Sequence, residues 1–257
     1  MSESPRFVRL RREPDVLRLT LARPPLNILT IDMMAEINDV LAEAAAHRTL
    51  KALVIEGDGT AFSAGVAVED HVGDRVKPML ETFHRMFRAL HRLDCLTVAG
   101  VHGAALGGGA ELATFCDVVI ASDDATFGQP EIKVGVFPPI AALHYPRRIG
   151  APRTLALLLS GDVVSAAEAL RLGLADVVVP RDRLAETVQA QVERVRNRSA
   201  AVLRLTKRAM RQTLGVEFEP ALQSLEALYR DELMVTADAV EGLRAFVERR
   251  RPVWTDR

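Results

Sequence analysis

Residues 96–121 read LTVAGVHGAALGGGAELATFCDVVIA, and the order of patterns within them sets the fold class. Leu96 to Val101 is a short, mostly apolar run, the pattern of a strand buried on both faces. A glycine-rich turn follows, then a helical segment near Ala110 to Phe115, then a second apolar strand from Val118 to Ala121. Strand, helix and strand in such close succession form the repeating unit of a layered α/β core.

The alternation extends upstream. Phe7 to Leu10 and Val16 to Thr20 alternate as two strands around a Glu13-Pro14-Asp15 turn, which predicts an opening hairpin. Apolar residues recur at helical spacing from Ile31 to Ala46, and Lys51 to Glu56 (KALVIE) reads as a buried strand that ends at Gly57-Asp58-Gly59. A charged helix from Pro78 to Leu93 carries its proline in the first turn, where a missing N–H is tolerated. Beyond Pro152 strand signals fade, with Leu174 to Val179 the main exception. Ser165 is placed to cap the helix AAEALRL, with Glu168 completing a capping box and Gly173 stopping it. Ser199 opens a further helix, and Glu219–Leu233 and Ala237–Arg249 give two more. The expected division is an α/β core over residues 1–195 and a helical region over 196–257.

A chain of 257 residues with 49% hydrophobic and 26% charged residues buries a substantial core, and a net charge of −1 exerts no overall pull toward nucleic acid or membrane. Cys95 and Cys116 form neither a CxxC pair nor a disulfide framework, so a reducing compartment is expected. The N-terminal stretch has no signal-peptide core and no later run reaches membrane-spanning length. A cytoplasmic protein with no membrane partner is the resulting expectation.

Three segments carry the chemistry, each beyond a strand's exit, where α/β sheets bind ligands: Ala61–Val66 (AFSAGV), His102–Glu111 (HGAALGGGAE) and Phe127–Glu131 (FGQPE). Three successive glycines let a backbone approach a ligand, and a helix opening at them directs free N–H groups toward it. Neither the Gly-Lys-Ser/Thr of a phosphate loop nor GxGxxG spacing is present. An oxyanion hole is the remaining reading, with one amide from the glycine run and one from the Ser63–Val66 loop. The competing reading is a tight turn that serves only packing.

Glu111 lies among apolar neighbours, where a carboxylate is expensive to bury without a task or partner. Glu131 follows Pro130 in a similarly compact stretch. Two carboxyls in one pocket can share a water, one removing its proton and the other delivering a proton to carbon. Taken singly, each could instead serve a structural bridge or a loop cap.

With these residues in view the chain resembles the crotonase, or enoyl-CoA hydratase/isomerase, superfamily over nearly its whole length. Arg23–Asn27 (RPPLN), Phe62–Gly65 (FSAG), Leu106–Glu111 (LGGGAE), Phe127–Glu131 (FGQPE) and Phe246–Pro252 (FVERRRP) match its motifs in order. The resemblance implies that the amides of Val66 and Gly108 hold the thioester oxygen while Glu111 and Glu131 bind and activate water. Both glutamates are present, which within the family favours hydratase over double-bond isomerase. It further implies a spiral of ββα repeats with a C-terminal helical trimerisation region, and trimers or pairs of trimers. Coenzyme A would lie across the first loop near Ala64 and Val68, with Gly107, Pro130 and Pro138 around the acyl site and Phe246 and Arg249 toward the nucleotide. Coenzyme A then belongs to the substrate, and no separate cofactor or metal is expected.

Two departures stand out. Val136–Ala142 (VFPPIAA) replaces the Gly-Gly pair that usually shapes the acyl pocket, and Ala67 stands where an acidic residue is common. The Phe137-Pro138-Pro139 run and the Val68–His71 stretch (VEDH) resemble the branch that hydrates cyclic dienoyl-CoA thioesters such as cyclohexa-1,5-diene-1-carbonyl-CoA.

Other signals carry less. Ser63 lacks a GxSxG elbow, His84 and His91 fit a solvated helix face better than a metal site, and His144 is a candidate for the acyl pocket. Basic residues accumulate from Arg194 to Arg211 with no acid among them, so a non-catalytic RNA-binding or scaffolding homologue is the rival class. Aromatic residues are missing from that run, which favours a solvated face or contact with the coenzyme's phosphates, and no nucleic-acid partner is expected.

Overall fold

A computed structural model describes residues 6–256. The chain opens with β1 (Val8–Arg12) and β2 (Val16–Leu21), then α1 (Ile31–Ala46), β3 (Ala52–Gly57), α2 (Val76–Arg92), β4 (Leu96–Val101), β5 (Ala104–Leu106) and α3 (Gly108–Thr114). It continues through β6 (Val118–Ser122), β7 (Thr126–Gly128), α4 (Pro139–Ile149), α5 (Ala151–Ser160), β8 (Val163–Ser165), α6 (Ala166–Leu172), β9 (Val177–Val179) and α7 (Leu184–Arg196). The last helices are α8 (Ala200–Thr213), α9 (Phe218–Ala227), prolonged by a π-helical turn over Leu228–Leu233, and α10 (Ala237–Val247).

The larger sheet has the order β1-β2-β3-β4-β6-β9, with the β1–β2 hairpin antiparallel and every other pair parallel. Its central strands alternate between two apolar layers. Leu53, Ile55, Ala99, Val101, Val119 and Ala121 face the main core beside α1 and α2, while Ala52, Val54, Val98 and Ile120 face Val188 and Val192 of α7. Burial on both faces explains why these strands read as continuous apolar runs. The smaller sheet, β5-β7-β8, escapes a reading by periodicity because each strand has only three residues.

Local signals hold at several helix ends. Thr30 Oγ1 caps α1 through the Met33 amide, and Ser199 caps α8 through that of Val202. Ser165 caps α6 as predicted, but Glu168 does not complete a capping box: its carboxylate turns outward to Arg171, a cation three residues on. The helix placed at Ala110 to Phe115 instead begins at Gly108, so the glycines lie within the first turn.

Candidate active site

The three segments read from the sequence are stitched together by backbone hydrogen bonds. Ser63 N donates to Ala104 O at 3.0 Å and Leu106 N donates to Ser63 O at 3.0 Å, so the first loop runs alongside β5. On its other edge β5 pairs in parallel with β7, and the Gly107 amide donates to Gly128 O at 2.9 Å. The chain then passes through Gln129 and Pro130 to Glu131. β5 is therefore the common neighbour that gathers both loops and the second glutamate at one place.

Asn27 anchors the first loop from below. Its fully buried side-chain amide donates to the carbonyls of Asp58, Ala61 and Phe62, and its oxygen accepts from Arg23 N at 2.9 Å. Ser63 is likewise structural, its hydroxyl donating to Asn27 O at 2.8 Å.

Two amides are left over. Leu29 pairs with the first loop through Leu29 N to Gly65 O and Ala67 N to Leu29 O, a pattern that turns the Val66 N–H away from Leu29. Gly108 opens α3, so its N–H has no intrahelical acceptor. The two residues touch: a Cβ added to Gly108 would lie 2.7 Å from Val66 Cγ2. Gly107 has φ +51° and ψ −129°, a conformation that glycine alone adopts readily. A Cβ there would come 2.6 Å from Glu131 Oε1, so Glu131 rests directly over the glycine turn.

Glu111 lies one turn further along α3, its amide donating to Gly107 O at 2.9 Å. It is only 2% exposed, and its Oε1 accepts from the Ala141 amide at 2.7 Å. Burial pushes its carboxyl up to about 8, against the stabilising Ala141 amide, and the negative charge of Glu131 raises it further. Burial also raises the Glu131 carboxyl, less far because that residue is partly open. Glu131 thus lies close enough for its charge to act on Glu111.

The Ala141 contact was not foreseen. It comes from the first turn of α4, where Pro138 is the N-cap and Pro139 the first helical residue, and the early amides have no intrahelical acceptor and are free to donate to Glu111. Gln129, within the FGQPE segment, and Tyr145, beside His144, are given no role of their own by the sequence; both are about 1% exposed and their side chains meet at 2.8 Å. His144, a candidate for the acyl pocket, is engaged elsewhere: its Nε2 lies 2.9 Å from Thr114 O and its ring packs against Phe115.

Of the other positions singled out, Ala64 is half-buried with its amide held by Leu26 O at 2.9 Å, while Val68, 67% exposed, opens a short 3₁₀ turn beside the loop. Pro130 starts the turn that carries Glu131, and Pro138 is buried at the head of α4. Phe246 on α10 is 84% exposed, and neither it nor Arg249 bonds to any of these site residues. Among the described residues no group of three or more His, Cys, Asp or Glu side chains is arranged to hold a metal ion.

The model of the enoyl-CoA hydratase/isomerase family matches residues 11–257. The chain belongs to the enoyl-CoA hydratase/isomerase family. Among relatives of this family, the cyclohexa-1,5-dienecarbonyl-CoA hydratase of Thauera aromatica is 38% identical over 259 residues, covering 100% of each chain. The crystal structure of an enoyl-CoA hydratase from Mycobacterium smegmatis superposes with a TM-score of 0.91 at 28% identity, covering 97% of this chain and 99% of the other. That of Bacillus anthracis superposes with a TM-score of 0.92 at 27% identity, covering 98% and 100%. Within the enoyl-CoA hydratase/isomerase family this chain is an enzyme of the hydratase type.

Proposed function

We propose that the enzyme adds water reversibly across a conjugated double bond of a coenzyme A thioester whose acyl group is a ring with two double bonds. The observation that carries the hydration reading is the pair of carboxyls over one glycine turn, Glu131 against Gly107 and Glu111 one helical turn beyond. Burial favours the protonated form of Glu111. An ionised carboxylate takes one proton from water as the water oxygen bonds to the β-carbon, and a protonated carboxyl supplies a hydrogen to the α-carbon. Negative charge gathers on the thioester oxygen meanwhile, where the Val66 and Gly108 amides are free to donate to it.

The ring substrate is supported by the name of the Thauera aromatica relative and by the Phe137-Pro138-Pro139 run, which leads into the Ala141 amide that binds Glu111. Coenzyme A enters as part of the substrate, so the chemistry needs no separate cofactor. Phe218, Phe246 and Val247, exposed on the C-terminal helices, support assembly into trimers or pairs of trimers.

The test is a panel of linear and cyclic enoyl-CoA thioesters incubated in oxygen-18 water and followed by mass. The expected result is gain of one labelled water by cyclohexa-1,5-diene-1-carbonyl-CoA in preference to crotonyl-CoA. Efficient hydration of crotonyl-CoA alone overturns the ring assignment, and a product shifted in its double bond without added mass overturns hydration itself.

A further inference from the structure

The mechanism uses Glu131 but leaves unexplained what fixes its carboxylate, which sits on a short 3₁₀ turn followed by an exposed stretch from Ile132 to Phe137. The buried neighbours supply an answer. Gln129 is 1% exposed, and its amide lies between the Tyr145 hydroxyl on one side and the Glu131 carboxylate on the other. Only one orientation of that amide satisfies both sides. With its oxygen accepting from Tyr145 at 2.8 Å, its nitrogen lies 3.2 Å from Oε1 and 3.2 Å from Oε2 of Glu131. Reversed, the amide oxygen would face two carboxylate oxygens, which repel it.

The direction of the chain is set further back. Thr114 Oγ1 donates its proton to Ala110 O at 2.6 Å, as buried helical threonines do. Its contact with the Tyr145 hydroxyl is 3.5 Å, so the tyrosine proton goes to the shorter partner, Gln129. We infer that Tyr145 is a positioning residue: its hydroxyl locks the Gln129 amide so that the amide nitrogen grips Glu131 over the glycine turn. This rests on the hydratase reading only in assigning Glu131 to the reaction.

The groups that face Glu131 are few. Glu111 approaches from α3 and Tyr145 from α4, and both feel its charge. Lys133, on the same turn, packs its chain against Gly161, and Arg153 of α5 acts on Glu168 instead. Among the described residues no cation therefore stands in for the amide donor. An amide N–H donating to a carboxylate favours the ionised form. Freeing Gln129 to rotate removes that donor, so the carboxyl ionises at higher pH.

The test replaces Tyr145→Phe, which removes one oxygen, and Gln129→Ala, in the full-length enzyme, with turnover measured from pH 5 to 9 on whichever thioester the wild type converts. Tyr145→Phe is expected to lower kcat about tenfold with KM nearly unchanged, and to move the acidic limb of the kcat profile up by about one pH unit. Gln129→Ala is expected to do the same, and the double variant to be no worse than either single one, because both break one chain. An unmoved acidic limb in Tyr145→Phe, or additive losses in the double variant, overturns the inference. If Tyr145→Phe does not fold, the acidic limb of Gln129→Ala decides alone. Loss of turnover in Glu131→Ala belongs to the hydratase reading; if that variant keeps near-normal turnover, hydration by paired acids fails separately.

Discussion

Glu111, the acid proposed to act in hydration, is buried at a cost to stability. Its carboxyl is raised from the ordinary glutamate value to about 8 by burial, so the folded state holds a proton that the unfolded chain releases above about pH 4.5. Below that pH both states are protonated and the group is neutral in its effect. Between about 4.5 and 8 the unfolded state gains relative to the folded one at roughly 1.4 kcal/mol per pH unit, and above 8 the loss is complete. Glu111→Gln keeps an acceptor for the Ala141 amide and removes the titration. It is expected to abolish turnover while stabilising the protein by on the order of a few kcal/mol at pH 8, and by almost nothing at pH 4.5. Urea unfolding at the two pH values measures this; equal midpoints for variant and wild type at pH 8 would show that Glu111 is not held protonated. The existence of this acid was legible in the sequence, since a glutamate among alanines and leucine needs a reason. Its partner was not, because a backbone amide has no side-chain signature and Ala141 is thirty residues away.

At the scale of elements, the site depends on a loop that one buried side chain helps to anchor alongside its backbone hydrogen bonds. Asn27 sits at φ +49° with its amide spread over three carbonyls of the strand-exit segment between Asp58 and Phe62. Asn27→Ala leaves those buried carbonyls short of a donor and keeps an unfavourable backbone conformation. The expected loss is about 2–4 kcal/mol of stability, together with a rise in KM for the thioester, because the Val66 amide rides on the same loop. Isothermal titration with the thioester product on a folded sample separates the two effects; unchanged affinity would mean that the loop is anchored elsewhere. The longer elements were legible because their apolar periods are long, as with α1 and the alternating faces of β3 and β4. β5, β7 and α4 were not, although β5 assembles the site. Three-residue strands carry no period, and in the sequence the double proline that caps and opens α4 reads as reshaping the acyl pocket and not as a helix start.

Over the whole molecule, the proposed active site and the attachment of the tail occupy opposite ends of the main sheet. The site lies at the carboxyl ends of the strands, whereas α8 grips the amino ends: Lys207 Nζ lies 2.6 Å from Asp117 and 2.8 Å from Cys95 O, and Arg211 lies 2.7 Å from Asp94. Arg208 pairs with Glu232, and Arg196 with Glu13 and Asp15. The basic run that suggested RNA phosphates is thus largely occupied by acids and carbonyls remote in sequence, which one-dimensional spacing cannot reveal. Cations already paired within the chain have fewer counterions to release on a polyanion, so no salt-dependent retention on immobilised RNA is expected. Lys207→Ala should cost about 1–2 kcal/mol, since the pair is partly buried while Asp117 keeps its bonds from the Thr97 amide and hydroxyl. The loss should be local. Hydrogen exchange in α8 is expected to quicken well before exchange in β3, β4 and β6, because the tail is tied to the core through these few charged contacts while the strands share a continuous apolar layer. Exchange that quickens equally in α8 and the central strands would show instead that tail and core unfold as one unit, with Lys207 acting on the global stability of both.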